Sequence, residues 1–444
     1  MRSHRRRLYA AAMAAAALIA TACSTDTTGT TSSSATTSGS TEASASATPL
    51  GANGCPTMSA TPAWYGDNAD RINEMLATYG SCAGHSASTT VTSGAPLALF
   101  DWDNTVVRND IGNATFYWMV ANNKIRRPEE WSQTSPYLTP AAQQALSAAC
   151  DSAGAVGEPL DTSGNAACAD ELLSVYGDSE TTTDKEAFEG FNHREMEPAY
   201  AWLAQLFAGW TPAQIGEFAT AARTHALDTP VGTDETIGTT KVEGWVRYYD
   251  QIENLITALR ANGFDVRIIS ASPQQVVQAW GAPLGFTEEK AMGIQSLITD
   301  GKYTATLPGC GDRPDNTIIT YVDGKRCRVN SEVLGITGSA ALAQAPADRR
   351  QVFAAGDSDT DMTFLSDATG LRLVINRNKT ALMCRAYFDA DGKWIINPMF
   401  IDPEPAQDDA YECSTEGDFD AAGDDLPAVI DGTTVPDQPD RVHG

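Results

Sequence analysis

Basic residues are scarce in this 444-residue chain, in which 30 Lys and Arg stand against 57 Asp and Glu and the formal net charge is -27. So acidic a surface repels nucleic acid and anionic membranes, which argues against a protein that binds a phosphate backbone. An anionic substrate therefore needs local positive charge, from a metal ion or from a few placed Lys and Arg. No cysteine pair has the C-x-x-C spacing and no stretch is rich in His, so no zinc site is predicted.

Long apolar runs are also missing, apart from residues 8–19. Four arginines precede that run, which is too short to span a bilayer, and residues 1–22 are therefore predicted to be a signal peptide. The small residues before Cys23 resemble the lipobox of bacterial lipoproteins, although Ala20 stands where Leu is usual. This resemblance implies a lipid on Cys23 and an anchor on the outer side of the cell membrane. Simple secretion is the alternative, and either way we expect an exported protein.

The cysteine count agrees with export. Of the 9 cysteines, an even eight remain when Cys23 is set aside, as expected for disulfides in an exported protein. Pairing neighbours along the chain gives four local loops, closed by Cys55–Cys82, Cys150–Cys168, Cys310–Cys327 and Cys384–Cys413. Eight cysteines allow many other connectivities, so this sequential pairing is a hypothesis.

Composition divides the chain into segments. Residues 23–54 are rich in Ser and Thr and are predicted to be a flexible linker, because they cannot bury a core. Residues 106–245 contain several stretches of helical periodicity and are predicted to form a mostly helical cap, in which residues 150–183 are a surface loop. Residues 415–444 are acidic, rich in Gly and Asp, and predicted to be a mobile tail. The predicted core comprises residues 55–105 and 246–414.

The core is organised around residues 97–105, which read Leu-Ala-Leu-Phe-Asp-Trp-Asp-Asn-Thr. The four apolar residues predict a short buried strand that ends in Asp101 and Asp103. Two further apolar strands are predicted at 264–269 and 351–355, and polar residues follow them as well. The carboxyl ends of parallel strands meet at one edge of a sheet, so we expect these polar side chains to lie together.

Carboxylates that gather in this way repel one another, which favours a bound divalent cation. Mg²⁺ is preferred, because it binds one or two carboxylates together with water and a substrate phosphate. A calcium loop that begins at Asp357 is the rival interpretation. It fails because Met362 stands where the loop needs Gly and Ala368 where it needs Glu.

These residues resemble, in the right order, the four motifs of the haloacid dehalogenase-like superfamily, namely Asp101-x-Asp103-x-Thr105, Ser270, Lys325 and Gly356-Asp357-x-x-x-Asp361. The resemblance implies an α/β fold with a Rossmann-like three-layer core, a parallel central sheet and an inserted, mostly helical cap of the C1 type. It also implies a phosphoric monoester hydrolase, because dehalogenases of the superfamily lack the second carboxylate that Asp103 supplies here.

The resemblance assigns roles by position. Asp101 is expected to be the nucleophile that forms an aspartyl-phosphate, and Asp103 the general acid and base. Ser270 and Lys325 are expected to hold the phosphoryl oxygens. Thr105 and Arg108 are further candidates for substrate binding, and Lys302, in a predicted hairpin turn, is the alternative to Lys325. The implied Mg²⁺ ligands are Asp101, the backbone carbonyl of Asp103, and Asp357, with Asp361 at or just behind the metal.

Three segments, 103–110, 268–271 and 374–378, are similar to phosphorylcholine phosphatases and phosphoserine phosphatase-like relatives. The implied substrate is a small phosphorylated metabolite such as phosphocholine. A choline headgroup favours an aromatic cage, which the run Phe116-Tyr117-Trp118 can supply unless Phe116 and Trp118 belong to the core of the cap. A phosphoserine phosphatase-like or broad-specificity acid phosphatase, and a lipoprotein that binds a phosphorylated ligand without turnover, are the alternatives.

Overall fold

A computed structural model of the chain describes residues 49–51, 54–59, 63–81 and 94–443. The predicted signal peptide, Cys23 and most of the predicted linker lie outside these residues, as does Cys82. Within the described ranges, no helix combines the length and the apolar character that crossing a membrane requires.

The strands, in chain order, are β1 (Leu97–Phe100), β2 (Val107–Arg108), β3 (Asp234–Ile237), β4 (Thr240–Glu243), β5 (Arg247–Tyr248), β6 (Asp265–Pro273), β7 (Ala291–Ile294), β8 (Ile298–Thr299), β9 (Lys302–Tyr303), β10 (Phe353–Gly356), β11 (Leu371–Asn376), β12 (Trp394–Pro398), β13 (Asp418–Phe419), β14 (Asp425–Leu426), β15 (Val429–Ile430) and β16 (Thr433–Thr434). The central sheet has the order β12-β11-β10-β1-β6-β7, and every neighbouring pair in it is parallel. The remaining strands form two-stranded antiparallel ribbons.

The helices, in chain order, are α1 (Asn68–Tyr79), α2 (Ile111–Ala121), α3 (Pro140–Cys150), α4 (Ala166–Gly177), α5 (Pro198–Gln205), α6 (Pro212–Asp228), α7 (Asp250–Ala261), α8 (Gln274–Gly281), α9 (Asp323–Arg328), α10 (Met362–Asp367), α11 (Thr380–Phe388) and α12 (Cys413–Glu416). Thr211-Pro212 is a pattern typical of a helix start, and helix α6 begins there with Pro212 in its first turn. There the Thr211 hydroxyl accepts from the backbone of Gln214, whose side chain accepts from the backbone of Thr211.

The central sheet is covered on both faces. Ala98 and Phe100 of β1 belong to one buried apolar cluster, which includes residues of α1 and α7. Leu97 and Leu99 point to the other face and belong to a second cluster with residues of α10 and α11. This alternation follows from the two-residue period of a strand. The predicted α/β class, with a Rossmann-like three-layer core, is therefore confirmed.

The segment 150–183 is not the surface loop that the sequence predicts, because it contains helix α4. Asn165 caps this helix by accepting from the backbone N–H of Cys168. Leu172, Leu173 and Tyr176 are buried in it at the three- and four-residue spacing of a helical face. The polar residues on either side hid this short apolar periodicity.

The dipeptide Asp323-Gly324 is typical of a turn and predicts one here, but these residues begin helix α9. Asp323 makes an ion pair with Arg194, with 2.8 Å between Nε and Oδ2. A Cβ atom at Gly324 would lie 1.7 Å from the backbone oxygen of Ile319. Glycine therefore serves close packing here rather than a turn. By contrast, Asp300-Gly301 does join β8 and β9 with positive φ at both residues, as a hairpin turn requires.

Three of the predicted disulfides are present, Cys150–Cys168, Cys310–Cys327 and Cys384–Cys413. The fourth pairing stays a prediction, since Cys82 is not among the described residues. The last disulfide joins Cys384 of α11 to Cys413, two residues before the acidic tail. Within the tail, Ala428 and Val435 are fully buried, and Asp418 lies 2.6 Å from Arg385. The tail is thus packed on the core, and the expectation that it is mobile is wrong.

Candidate active site

Neighbouring strands bring the predicted site residues to one edge of the sheet. Phe100, the last residue of β1, is in register with Ile268 of β6 and Ala355 of β10. Asp101, Ser270 and Asp357, which follow these positions, therefore lie side by side at the carboxyl ends of three parallel strands. This is the edge at which ligands bind in open α/β sheets.

Lys325 is wholly buried and lies between two of the carboxylates. Its Nζ is 2.6 Å from Oδ1 of Asp101 and 2.6 Å from Oδ1 of Asp361. Burial opposes the charge of the ammonium group, but the two carboxylates outweigh it and raise the pKa of Lys325. The alternative, Lys302, is exposed in the β8–β9 hairpin. The structure thus brings Lys325, and not Lys302, to the carboxylates.

Asp361 and Thr105 hold the other groups in place. Oδ2 of Asp361 accepts from the backbone N–H groups of Asp357 and Ser358, at 2.9 and 3.1 Å, so both of its oxygens have partners. The Thr105 hydroxyl lies 3.1 Å from Oδ2 of Asp101 and 3.1 Å from Oδ1 of Asp357. Thr105 therefore links the two carboxylates and does not face the cavity.

Asp103 is held by α2 and β6. Its Oδ1 accepts from the backbone N–H of Ile111 at 2.7 Å, and its Oδ2 accepts from the Ser272 hydroxyl at 2.8 Å and lies 3.4 Å from the Ser270 hydroxyl. Burial, together with the nearby carboxylate of Asp110, raises the pKa of Asp103 well above its ordinary value. The carboxyl group is therefore suited to carry a proton, as a general acid must.

Ser272 is a site residue that the sequence predicts for another purpose. Followed by Pro273 and Gln274, it resembles the cap of the next helix. In the structure α8 has no side-chain cap, and the Ser272 hydroxyl binds Asp103 instead. The tertiary contact with a buried carboxylate replaces the local one. No local pattern distinguishes these two uses of a hydroxyl.

A cavity of about 200 Å³ opens at this edge of the sheet. Of the predicted site residues, Asp101, Asp103, Arg108 and Asp357 line it. Thr105, Ser270, Lys325 and Asp361 lie behind its wall, each fully buried. The remaining lining includes Asp110, Tyr176, Tyr200, Glu243, Ser272 and Arg377. Ser270 and Lys325, predicted to hold phosphoryl oxygens, thus do not reach the cavity surface in this structure.

The cavity also corrects the predicted aromatic cage. Phe116 is fully buried in the apolar cluster that also contains Ala98 and Phe100, and its ring centroid lies 4.3 Å from that of Tyr176. Tyr117 and Trp118 line a different cavity. The aromatic residues that do line the candidate active site are Tyr176 and Tyr200, which come from α4 and α5. Tyr176 lies in the polar segment 150–183 that was predicted to be a loop, so the sequence did not indicate that it lines the cavity.

Arg108 is committed to the surrounding loops. Its Nη1 donates to the side-chain oxygens of Asn104 and Asn109, at 3.1 and 2.6 Å, and its Nε donates to the backbone oxygen of Ile401 at 3.2 Å. Its Nη2 lies 3.5 Å from a carboxylate oxygen of Asp402. All three nitrogens therefore have protein partners, and Arg108 braces the loop that follows β1.

Arg377, which lies in the segment 374–378 of the resemblance but was assigned no role there, pairs with Asp357. Its Nη1 lies 2.6 Å from Oδ2 of Asp357. Burial opposes the charge, but Asp357 outweighs it and raises the pKa of Arg377. The available signal was position, because Arg377 directly follows β11 just as Asp101 and Asp357 follow their own strands.

Three carboxylates fit a metal ion. Oxygens of Asp101, Asp357 and Asp361 lie within 4.8 Å of one another, and all three residues are buried. Burial raises the pKa of Asp101 well above its ordinary value and also raises that of Asp361. Lys325 and Arg377 contact this group of carboxylates. With Asp103 and Asp110 nearby, the carboxyl groups outnumber these two cations. Buried oxygen ligands with excess negative charge suit a hard divalent cation.

No protein-family model matches the chain, and no curated protein matches it. Similar solved structures include a conserved protein of unknown function from Anaerococcus prevotii DSM 20548, 21% identical over 73% of this chain and 90% of that chain, with a TM-score of 0.49. A protein of unknown function from Bordetella pertussis Tohama I is 16% identical over 68% of this chain and 98% of that chain, with a TM-score of 0.42. A phospho-aspartyl intermediate analogue of phosphoserine phosphatase is 14% identical over 68% of this chain and 92% of that chain, with a TM-score of 0.32. Likenesses of this degree carry no argument about the activity of this chain.

Replacing Lys325 tests the buried ion pairs. Lys325→Met leaves Asp101 and Asp361 without their shared cation, and losing one partner of a buried pair costs about 3–5 kcal/mol. We expect the free energy of unfolding, measured by urea titration in EDTA, to fall by that amount. Lys302→Met, the exposed control, is expected to change it by less than about 0.5 kcal/mol. Equal effects of the two substitutions would contradict the arrangement described.

Proposed function

We propose that the protein is a Mg²⁺-dependent phosphomonoesterase of the haloacid dehalogenase-like type, acting through an aspartyl-phosphate on Asp101. The observation that carries the proposal is the pairing of two different carboxyl groups at the cavity. Asp101 is next to Lys325, Thr105 and Asp357, whereas Asp103 is held apart from them by Ser272 and a backbone N–H. A protein that only binds phosphate has no need of both.

The two carboxyl groups divide the reaction between them. In the first step a carboxylate oxygen of Asp101 attacks phosphorus, the bond from phosphorus to the leaving oxygen breaks, and Asp103 gives that oxygen its proton. In the second step Asp103, now a carboxylate, takes a proton from water while the water oxygen attacks phosphorus. The bond between phosphorus and Asp101 breaks, which releases inorganic phosphate.

The residues fit the implied metal. Asp101, Asp357 and the backbone carbonyl of Asp103 would hold Mg²⁺, with Asp361 behind them, and the bound ion supplies the positive charge that lets a carboxylate approach a phosphate. Burial raises the pKa of Asp101, and the charge of Lys325 opposes that effect. Asp361 fixes the loop that carries Asp357 by accepting from two of its backbone N–H groups.

The proposed substrate is a small phosphate monoester with a cationic headgroup, such as phosphocholine. A cavity of about 200 Å³ is smaller than typical sites for drug-sized ligands, which supports a small metabolite. Beyond the catalytic pair, the cavity is lined by Asp110, Glu243, Tyr176 and Tyr200, so carboxylates and aromatic rings are available to a cation. A phosphoserine phosphatase-like or broad-specificity acid phosphatase is the second candidate, and the cation Arg377 in the lining favours it.

We propose that the protein acts outside the cytoplasm, held to the membrane by a lipid on Cys23 or secreted. The N-terminal pattern of arginines, apolar residues and Cys23 supports this location. The disulfides support it as well, because such bonds persist in oxidising compartments. No nucleic-acid partner is proposed, since the net charge is strongly negative.

Turnover of p-nitrophenyl phosphate tests the proposed activity. The wild-type protein is expected to hydrolyse it with Mg²⁺ and to lose the activity in EDTA. Asp101→Asn is expected to abolish turnover, because an amide cannot serve as the nucleophile. Asp300→Asn, in the β8–β9 turn, is the control and retains full activity. Full activity of Asp101→Asn, or activity independent of a divalent cation, would end the proposal.

The role of Asp103 is tested by varying the leaving group. Loss of a general acid typically costs about 10²–10⁴-fold in rate, but p-nitrophenolate leaves without needing a proton. The rate constant with which Asp101 becomes phosphorylated is measured in a single turnover of the Asp103→Asn variant. Relative to the wild type, it is therefore expected to fall by that factor with phosphocholine and by much less with p-nitrophenyl phosphate. An equal loss for both substrates would show that Asp103 does not protonate the leaving oxygen.

A further inference from the structure

The cavity that contains Asp101 has too little positive charge in its lining for an anionic substrate. Asp101, Asp103, Asp110, Asp357 and Glu243 all line it. A phosphate that enters such a cavity is repelled unless a cation faces it. The cations in the lining are Arg108 and Arg377. Lys325 is fully buried behind the wall and shared by two carboxylates.

The two arginines differ in the donors they have left. Arg108 uses all three nitrogens on protein groups, as described above. Arg377 uses one, since in the described part of the chain its side chain makes a single hydrogen bond, from Nη1 to Asp357. A guanidinium has five N–H groups, so four remain for a ligand. The side chain is 28% exposed, whereas that of Arg108 is 12% exposed.

Arg377 also lies beside the position that the phosphoryl group must occupy. Its partner Asp357 shares the Thr105 hydroxyl with Asp101, through contacts of 3.1 Å on each side. A phosphoryl group in transfer to Asp101 is therefore next to Asp357, and next to the guanidinium bound to it. The planar fork of a guanidinium matches two phosphate oxygens.

We propose that Arg377 binds the phosphoryl oxygens of the substrate from the cavity side. The inference rests on the proposed function for the presence of a phosphate ester in the cavity. It assigns the direct contact with phosphate to a residue at the end of β11, while Lys325 neutralises Asp101 from behind. Arg377 is then a binding residue for both the ester and the inorganic phosphate that is released.

Binding of inorganic phosphate tests this assignment without requiring turnover. The dissociation constant is measured by isothermal titration calorimetry in saturating Mg²⁺. Loss of a hydrogen bond to a charged group predicts that Arg377→Met raises Kd about 10- to 100-fold. Arg377→Lys keeps the charge but not the fork, and an intermediate rise is expected. Arg372→Met is the matched control, an arginine within β11, the strand that Arg377 follows. It pairs with Asp391 away from the cavity, and its replacement leaves Kd unchanged.

A purely structural role for Arg377 predicts a different result. If the arginine serves only as a partner of Asp357, its removal frees that carboxylate for the metal. The Mg²⁺ concentration at half-saturation then falls while Kd for phosphate at saturating Mg²⁺ stays at the wild-type value. That result in Arg377→Met, with thermal unfolding as a check that the variant is folded, overturns the inference. So does a wild-type protein that binds no phosphate.

The test separates this inference from the proposed function. Wild-type turnover of p-nitrophenyl phosphate with an unchanged Kd in Arg377→Met leaves the phosphatase proposal in place and removes the role of Arg377. Absence of turnover in the wild type, together with a Kd that depends on Arg377, removes the phosphatase proposal and leaves the role of Arg377 in place. In that case the protein binds phosphate through Arg377 but is not an enzyme of the proposed kind.

Discussion

The ion pairs of Lys325 are the interaction on which the site depends. Parallel strands deliver Asp101 and Asp357 to one edge of the sheet, and the loop after β10 adds Asp361, so the fold itself concentrates negative charge. An ammonium group that is wholly buried is costly to desolvate, and only close carboxylates offset that cost. Helix α9, from the long segment between β9 and β10, supplies it. The position of α9 therefore determines the charge that faces the nucleophile.

A second cation, Arg377, lies on the other side of the carboxylates that Lys325 contacts. Lys325 contacts Asp101 from inside the protein, and Arg377 contacts Asp357 from the cavity side. Between them the Thr105 hydroxyl connects the two carboxylates. Asp103 is kept out of this arrangement by partners of its own, which lets two carboxyl groups two residues apart differ in environment. Such a difference is what acid and nucleophile roles require of a pair of carboxyl groups.

The sequence predicted the strands that carry the site, because buried strands are short apolar runs and polar residues follow them in a fixed place. It placed Asp101, Asp103, Ser270 and Asp357 at one sheet edge for that reason. It did not predict which residues line the cavity. Ser272 follows a helix-cap pattern but binds Asp103, and Tyr176 lies on a helix hidden in a polar segment. Glu243 ends the β3–β4 hairpin, remote in sequence from the strands of the central sheet. Such positions depend on tertiary packing, which no local periodicity encodes.

The central claim is that Asp101 becomes phosphorylated, and trapping that intermediate tests it most directly. Asp103→Asn lacks the base that activates water, so with Mg²⁺ and p-nitrophenyl phosphate it is expected to accumulate the intermediate. After acid quenching and proteolysis at low pH, mass spectrometry should find the phosphoryl group on the peptide that contains Asp101, and not in the double variant that also carries Asp101→Asn. A phosphoryl group on any other residue, or burst kinetics without a phosphorylated peptide, would contradict the account.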